Sequence, residues 1–376
     1  MYILTIGRAY PEKKTGMIGI FEYEQAKALS NTGNKVVYGF CDNRSLKVFR
    51  KFGKFRKTQD NVEIYGRFLP VGGLPEKLHG KFKTAEFKKL MELIISEQGK
   101  PDVIHIHFPL LTITSEIYDY LRTLGCRIVI TEHWSKVLKK EISLYRKQLL
   151  CKLADNADEF ICVSSLLKKS VCELTNTKKE IYVVPNMVSG DFTYAEKKNN
   201  SDIFSFIAVG RLVELKRFDI DIEGFTKAFK GNKNVKLKIV GDGVLRSSLE
   251  SQIKNLGMQD QIELLGFKNH DEVAGIVADC DCHVSSSVLE TFGVPFVEGW
   301  VTGLPSIGVK NGPIDEYFNE SNGVLFDADN SDALAEAMKQ VYNNRDKYDR
   351  KAISEWAVSM FSSRCVADRL VEIFSE

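Results

Sequence analysis

Glu290 and Glu298 lie within one run, HVSSSVLETFGVPFVEGWVTG, whose residue types suit anion or hydroxyl recognition. The run opens as a strand and passes into a loop. Pro295 then suits the first residue of a helix, which Gly303 can end. The loop amides would point from a helix N-terminus toward an open cleft, where unpaired N–H groups and the helix dipole favour negative charge. A phosphate or a sugar hydroxyl fits there, and the two carboxylates can accept hydrogen bonds from two groups of hydroxyls. A capped helix with one exposed Glu explains the same residues equally well on chemistry alone.

Three further constellations could do chemistry. In AVGRLVELKRFD, Arg211 and Lys216 fall in a strand-to-helix loop, where two fixed cations can neutralise a diphosphate leaving group without a metal ion. Solvated loop cations are the plainer reading of that pair. After the first strand, Gly16 and Gly19 lead into IFEYEQAKAL and would let backbone approach a ligand closely. The spacing is not GxGxxG, so a dinucleotide fingerprint is absent, and an ordinary turn serves as well. In TEHWS, His133 follows the strand RIVIT at the edge where ligands collect in open α/β sheets. His105 and His107, within DVIHIHF, read as structural, one facing the core and the other a helix.

These groups must be positioned by alternating strands and helices. At 376 residues the chain is long enough for two domains. Apolar runs YILTI, KVVYGF, VEIYG, DVIHIHF, RIVIT, EFICV and IYVV, separated by helical patterns, predict a parallel sheet wrapped by helices. The polar stretch 189–202 reads as a linker. The pattern then restarts with FSFIAVG, VKLKIVG, QIELLGF, DCHVSSS, PSIGVK and GVLFD, and Phe218, Ile222, Phe225 and Phe229 mark one amphipathic helix. The expected architecture is two doubly wound α/β domains, 1–188 and 203–357, facing across a cleft. The last helix, about 358–376, either stays with the second domain or crosses back to the first.

Composition excludes several classes. Apolar residues at 44% and charged residues at 27% are ordinary for a globular enzyme, which argues against disorder and fibrous structure. The scattered cysteines read as reduced core residues, and Cys280 and Cys282 lack the partners of a zinc site. The N-terminal run lacks the basic region and cleavage site of a signal peptide, and no apolar run reaches the roughly 20 residues that span a bilayer. A cytoplasmic protein is expected, with attachment to a membrane surface left open. The net charge of +2 is unevenly spread: residues 1–188 carry 31 Lys and Arg against 20 Asp and Glu, and the remainder carries 21 against 30. Such asymmetry predicts that the first half faces an anionic partner.

Taken in order, TEHW, GRLVELK, LLGF, ETFGVPFVE and NGPIDEYFNESNGVLF resemble glycosyltransferase family 4, the group 1 retaining enzymes of GT-B fold. The resemblance implies that Glu290 binds donor-sugar hydroxyls and Glu298 the ribose hydroxyls, with the amides of Phe292, Gly293 and Val294 meeting sugar and phosphates. It implies that Arg211 and Lys216 hold the diphosphate, that His133 lies near the transferred sugar, and that Gly19 brings backbone to the phosphate or acceptor. Gly266 and Phe267 would border the base. The implied reaction moves a sugar from a UDP- or GDP-sugar to a glycan or lipid-linked acceptor in surface polysaccharide or glycoconjugate biosynthesis. It retains configuration by same-face attack and needs no metal or other cofactor. No carboxylate pair of the glycosidase kind stands out. A nucleotide-sugar epimerase of the same fold, or a non-catalytic nucleotide-sugar-binding protein, is the alternative. Two departures touch the acceptor side: PNMVS keeps Asn186 of the frequent PNGVD, and a double glycine is spread out as GMIG.

The triplets Asp219/Asp221, Asp279/Asp281 and Asp327/Asp329 match the metal-holding Asp-x-Asp of the other common transferase fold and read as chance, structural residues. The stretch 47–57, KVFRKFGKFRK, interleaves cations with Phe49, Phe52 and Phe55. It reads either as a wet charged loop or as a contact with an anionic membrane bearing the acceptor. Nucleic acid is not expected, because the chain has no RNA-binding signature and its second half is acidic.

Overall fold

The computed structural model describes every residue except 13–17, 46–50, 195 and 197–202, and at 76 and 77 the backbone alone. Among the described residues, two sheets form. The first contains β1 (Tyr2–Gly7), β2 (Lys35–Asp42), β3 (Gly53–Gln59), β4 (Val62–Phe68), β5 (Val103–His107), β6 (Arg127–Glu132), β7 (Glu159–Cys162) and β8 (Tyr182–Val183), in the order β3-β4-β2-β1-β5-β6-β7-β8. The second contains β9 (Phe204–Val209), β10 (Val235–Val240), β11 (Ile262–Gly266), β12 (Cys282–Val284), β13 (Ser306–Val309) and β14 (Gly323–Phe326), in the order β11-β10-β9-β12-β13-β14.

Every strand pair is parallel except β3–β4. Parallel strands covered by helices on both faces must be apolar throughout rather than alternating. That is why Ile3, Leu4, Ile6, Phe206, Ile207 and Ala208 are all buried.

The helices that matter for function are α1 (Ile20–Asn31), α2 (Glu76–Gln98), α3 (Phe218–Phe229), α4 (His270–Ala278), α5 (Val294–Val301) and α6 (Ser363–Ser375). On α3 the expected apolar stripe is the core face: Phe218, Ile222, Phe225 and Phe229 are buried. The chain forms two compact units, Met1–Asn186 with Ser363–Glu376, and Met187–Ser362. Helix α6 therefore joins the first unit. Its Val366, Ala367, Leu370, Ile373 and Phe374 are buried, Phe374 packs edge-on against His105 at 5.0 Å, and Arg127 donates to the Ile373 carbonyl.

Three local readings are corrected. Part of the basic stretch is not a loop: residues 53–59 are edge strand β3, antiparallel to β4. Cations and a glycine replace the β-branched pattern that marks a strand. Lysines on an edge discourage pairing with another chain. Phe55 packs on Tyr10, Phe40 and Phe68, so it has no freedom to enter a bilayer, whereas Phe52 is 64% exposed. Phe49 lies outside the described residues. His105 and His107 do not face opposite ways, because positions two apart on a strand share a face, and their rings stand 4.1 Å apart. The expected linker begins as structure: Phe192 is buried and packs edge-on against His270 at 5.3 Å.

Candidate functional site

Two clusters lie at the C-terminal ends of the parallel strands, one in each unit. In the second unit, β9 runs into the loop carrying Gly210, Arg211 and Lys216, and α3 follows. The Lys216 stem passes over Gly210, where an added Cβ would lie 3.5 Å from it. Its ammonium forms an ion pair with the Glu290 carboxylate, with each side chain about one-fifth exposed. Arg211 is exposed and has no ion-pair partner among the described residues.

The loop carrying Glu290 is held in place by backbone. Val288 N–H donates to the Leu215 carbonyl at 3.1 Å, and Ser287 Oγ donates to the same carbonyl at 3.3 Å. Below it, Ser286 Oγ donates to buried Asp221 at 2.5 Å, and burial raises that carboxyl to about 7. Asp221 is thus structural, as read, but specifically it anchors the loop that presents Glu290. The other Asp-x-Asp residues include Asp281, which accepts the Ser205 N–H, and Asp327, which pairs with Lys310.

Helix α5 begins at Val294, placing Pro295 second. Gly293 precedes it at φ 102° with no side-chain cap, a conformation that side-chain-bearing residues rarely adopt. The first turn of α5 is left for another acceptor of hydrogen bonds. The Phe292 ring is buried against Tyr317 and Phe361, so only its backbone is available to a ligand. Glu298, one turn further on, is buried, and burial raises its carboxyl to about 7. His270 Nε2 stands 3.7 Å from Glu298 Oε1, and its Nδ1 stands 3.4 Å from Asp191 Oδ2. No sequence pattern marked His270, since nothing in the spacing of residues 191, 270 and 298 shows that they meet. Gly266 ends β11 at φ 73°, and the Phe267 ring beside it is 74% exposed.

The first unit gathers a different set. His133 Nε2 lies 3.0 Å from His107 Nδ1, and His105 Nε2 lies 2.7 Å from Thr131 Oγ1. The His133 ring stacks on Phe108 at 4.6 Å, and the Arg8 guanidinium covers the Phe108 ring at 3.5 Å. Glu132 Oε1 accepts the N–H groups of His133 and Trp134, each at 2.8 Å. Burial raises the Glu132 carboxyl to about 7. Burial, then the Arg8 charge, pushes His133 down to about 3, so its imidazole is neutral at physiological pH and hydrogen-bonds without charge. Gly19 precedes α1 at φ 93°, and an added Cβ would meet the Ala9 carbonyl at 1.9 Å. Its close approach is therefore to the chain's own backbone. Gly16 lies outside the described residues.

The structure thus brings Lys216 and Glu290 together in the second unit, along with the N-terminus of α5, and places His133 and Gly19 in the first. Among the described residues no helix is long and apolar enough to cross a membrane.

The comparisons agree across the chain. Residues 192–355 match the family described as glycosyl transferases group 1, and residues 20–192 match glycosyltransferase family 4. An uncharacterised glycosyltransferase of Methanocaldococcus jannaschii is 30% identical over 270 residues, covering 71% of this chain and 72% of that one. A component of the phosphatidylinositol N-acetylglucosaminyltransferase of Arabidopsis thaliana is 24% identical, covering 75% of this chain and 67% of its own length. Among solved structures, sucrose-phosphate synthase from Thermosynechococcus elongatus overlays with a TM-score of 0.78 at 17% identity, covering 100% of this chain and 98% of that one. The Anabaena protein HepE in complex with UDP-glucose overlays at 0.70 with 17% identity, covering 100% and 99%. At such identities the overlays speak for the fold, which is GT-B. The chain belongs to the group 1 glycosyltransferases of family 4.

Proposed function

We propose that this glycosyltransferase takes its sugar from a nucleotide-diphosphate sugar, with UDP or GDP as the nucleotide, and transfers it with retention to a glycan or lipid-linked acceptor. The observation that carries this reading is the Lys216–Glu290 ion pair beside the uncapped N-terminus of α5. A diphosphate arriving there meets the Lys216 ammonium, the exposed Arg211 and the helix dipole, and these stabilise the charge that grows as the phosphate departs. As the phosphate takes over Lys216, Glu290 becomes free to accept hydrogen bonds from sugar hydroxyls. Glu298, one turn along, serves the ribose, and the exposed Phe267 at the end of β11 borders the base.

With cations already in place for the diphosphate, the reaction runs without a metal ion. Departing phosphate oxygen takes the acceptor proton on the face the nucleotide leaves, so no side-chain nucleophile takes part. The names of similar proteins support sugar transfer from a nucleotide-sugar donor: one is a subunit of a phosphatidylinositol N-acetylglucosaminyltransferase, and a protein of the same fold was solved with UDP-glucose. Acceptor recognition falls to the first unit, in the cytoplasm, with Lys54 and Phe52 at the edge of β3 as the contact to an anionic membrane.

A thermal-shift panel of UDP, GDP and ADP with their sugars, run with and without EDTA, tests the donor assignment. A nucleotide at 100 times its dissociation constant adds about 2.7 kcal/mol of stability. The matching donor should then be hydrolysed faster in the presence of acceptor, with the sugar's anomeric configuration kept in the product. Interconversion of the sugar with no acceptor present would instead identify an epimerase.

A further inference from the structure

Glu298 of α5 is buried, and among the described residues no N–H or O–H donates to its carboxylate. Its one ion-pair contact there is His270, whose Nε2 stands 3.7 Å from Oε1. A buried carboxylate without hydrogen bonds is costly, so the two oxygens are acceptors waiting for donors. Burial pushes the carboxyl up to about 7, and an N–H donated to it favours the charged form, the one that can accept from two hydroxyls.

His270 is set in place from three directions. It opens α4, where Asn269 accepts the Glu272 N–H at 3.0 Å and Glu272 accepts the Asn269 N–H at 2.9 Å. This reciprocal cap fixes where the helix starts, and so the point from which the imidazole projects. On the far side of the ring, Nδ1 stands 3.4 Å from Asp191 Oδ2, and Asp191 is itself held by the Ser189 hydroxyl at 2.8 Å. The buried Phe192 ring meets the imidazole edge-on at 5.3 Å. The ring thus lies between two carboxylates with one nitrogen toward each. Asp191 is 45% exposed and gains little from the contact, so its consequence falls on buried Glu298.

That consequence is orientation. The last torsion of a glutamate side chain is broad, so the plane of a carboxylate turns easily unless something holds it. A ribose presents two neighbouring hydroxyls, and both oxygens must face them for each to accept one. An N–H at Oε1 occupies one of its two acceptor sites and leaves the other, together with those of Oε2, for the ligand. At 3.7 Å the contact is longer than a hydrogen bond, and contacts of this kind shorten in the ligand complex.

We propose that His270 is a positioning residue for nucleotide recognition: it turns the Glu298 carboxylate toward the two ribose hydroxyls of the donor, while Asp191 holds the imidazole from behind. The proposal rests on the donor assignment above and adds a residue that sets the preference for ribose over deoxyribose.

Calorimetric titration of the full chain with UDP against dUDP, and with GDP against dGDP, tests it. Wild type should bind one ribonucleotide about tenfold tighter than its deoxy counterpart, the difference expected from one hydrogen bond to a charged group. His270→Phe and His270→Asn should erase that preference by weakening the ribonucleotide alone. His270→Gln, whose amide nitrogen reaches as far as Nε2, should keep most of it. Melting temperatures should match wild type, since the His270 side chain is 45% exposed. An unchanged preference in His270→Phe overturns the proposal. So does an equal loss of both nucleotides, which would place His270 against the base or the phosphates instead. In either case a ribonucleotide still bound by wild type leaves the donor assignment standing. A wild type that binds none of the four removes the donor assignment, and this proposal with it.

Discussion

At equivalent sheet edges, the Lys216–Glu290 pair of the second unit and the His133 cluster of the first are held in opposite electrostatic states. In the second unit, Lys216 and Glu290 form a pair about one-fifth exposed, within reach of water. In the first, Glu132, His105, His107 and His133 are buried, and burial drives each toward its neutral form. Charge survives where solvent or a partner stabilises it, and otherwise the group gains or loses a proton. The strand ends of the second unit therefore carry a charged pair, and those of the first a neutral hydrogen-bonding network around His133. In the proposed reaction the pair would meet a phosphate-bearing donor and the network would orient a sugar hydroxyl.

The contrast breaks most sharply at Lys216. Lys216→Ala should lower the turnover of sugar transfer by about 10²–10³. It should cost under about 1 kcal/mol of stability, because a partly exposed ion pair contributes little. Wild-type turnover in that variant would remove the pair from the site.

Glu132 should show the reverse profile, an effect on stability that follows pH. Its folded carboxyl sits near 7 against an ordinary 4.5, so the native state keeps a proton that the unfolded chain releases. That contribution is complete below about pH 4.5 and is lost as pH rises through about 7. Glu132→Gln has no such proton, so the wild-type advantage over it, read by urea unfolding, should shrink by about 3 kcal/mol across that window. A difference that stays constant with pH would mean the carboxyl is not held neutral.

The smallest effect concerns β3. Phe55→Ala should destabilise by about 2 kcal/mol, because the ring packs among Tyr10, Phe40 and Phe68, whereas Phe52→Ala should change stability by less than about 0.5 kcal/mol. Phe52→Ala is also the variant that should weaken binding to anionic vesicles. Equal melting temperatures for the two variants would undo the assignment of Phe55 to the core.

Much of the fold was legible because parallel strands buried on both faces must be written as continuous apolar runs, and each run named in the sequence lies on a strand. β3 was not legible, since its residues are chosen to protect an edge rather than fill a core, and they look like a loop. The stripe on α3 was legible from its period. The destination of α6 was not, because an amphipathic helix shows that it has an apolar face without showing which surface will cover it. Pro295 and Gly303 placed α5 to within a residue, as their backbone limits act locally.

By itself the sequence determined the two α/β units, the helix start behind Glu290 and the family resemblance, all of which depend on residues close together in the chain or on a motif read in order. Only the tertiary structure decided that Lys216 pairs with Glu290, that Asp221 anchors the loop presenting Glu290, that His270 reaches Glu298, and that Lys83 is buried with its ammonium on the Leu111 carbonyl. Those pairings join residues tens of positions apart. Their energies depend on distance and burial, and neither is set until the strands and helices have packed.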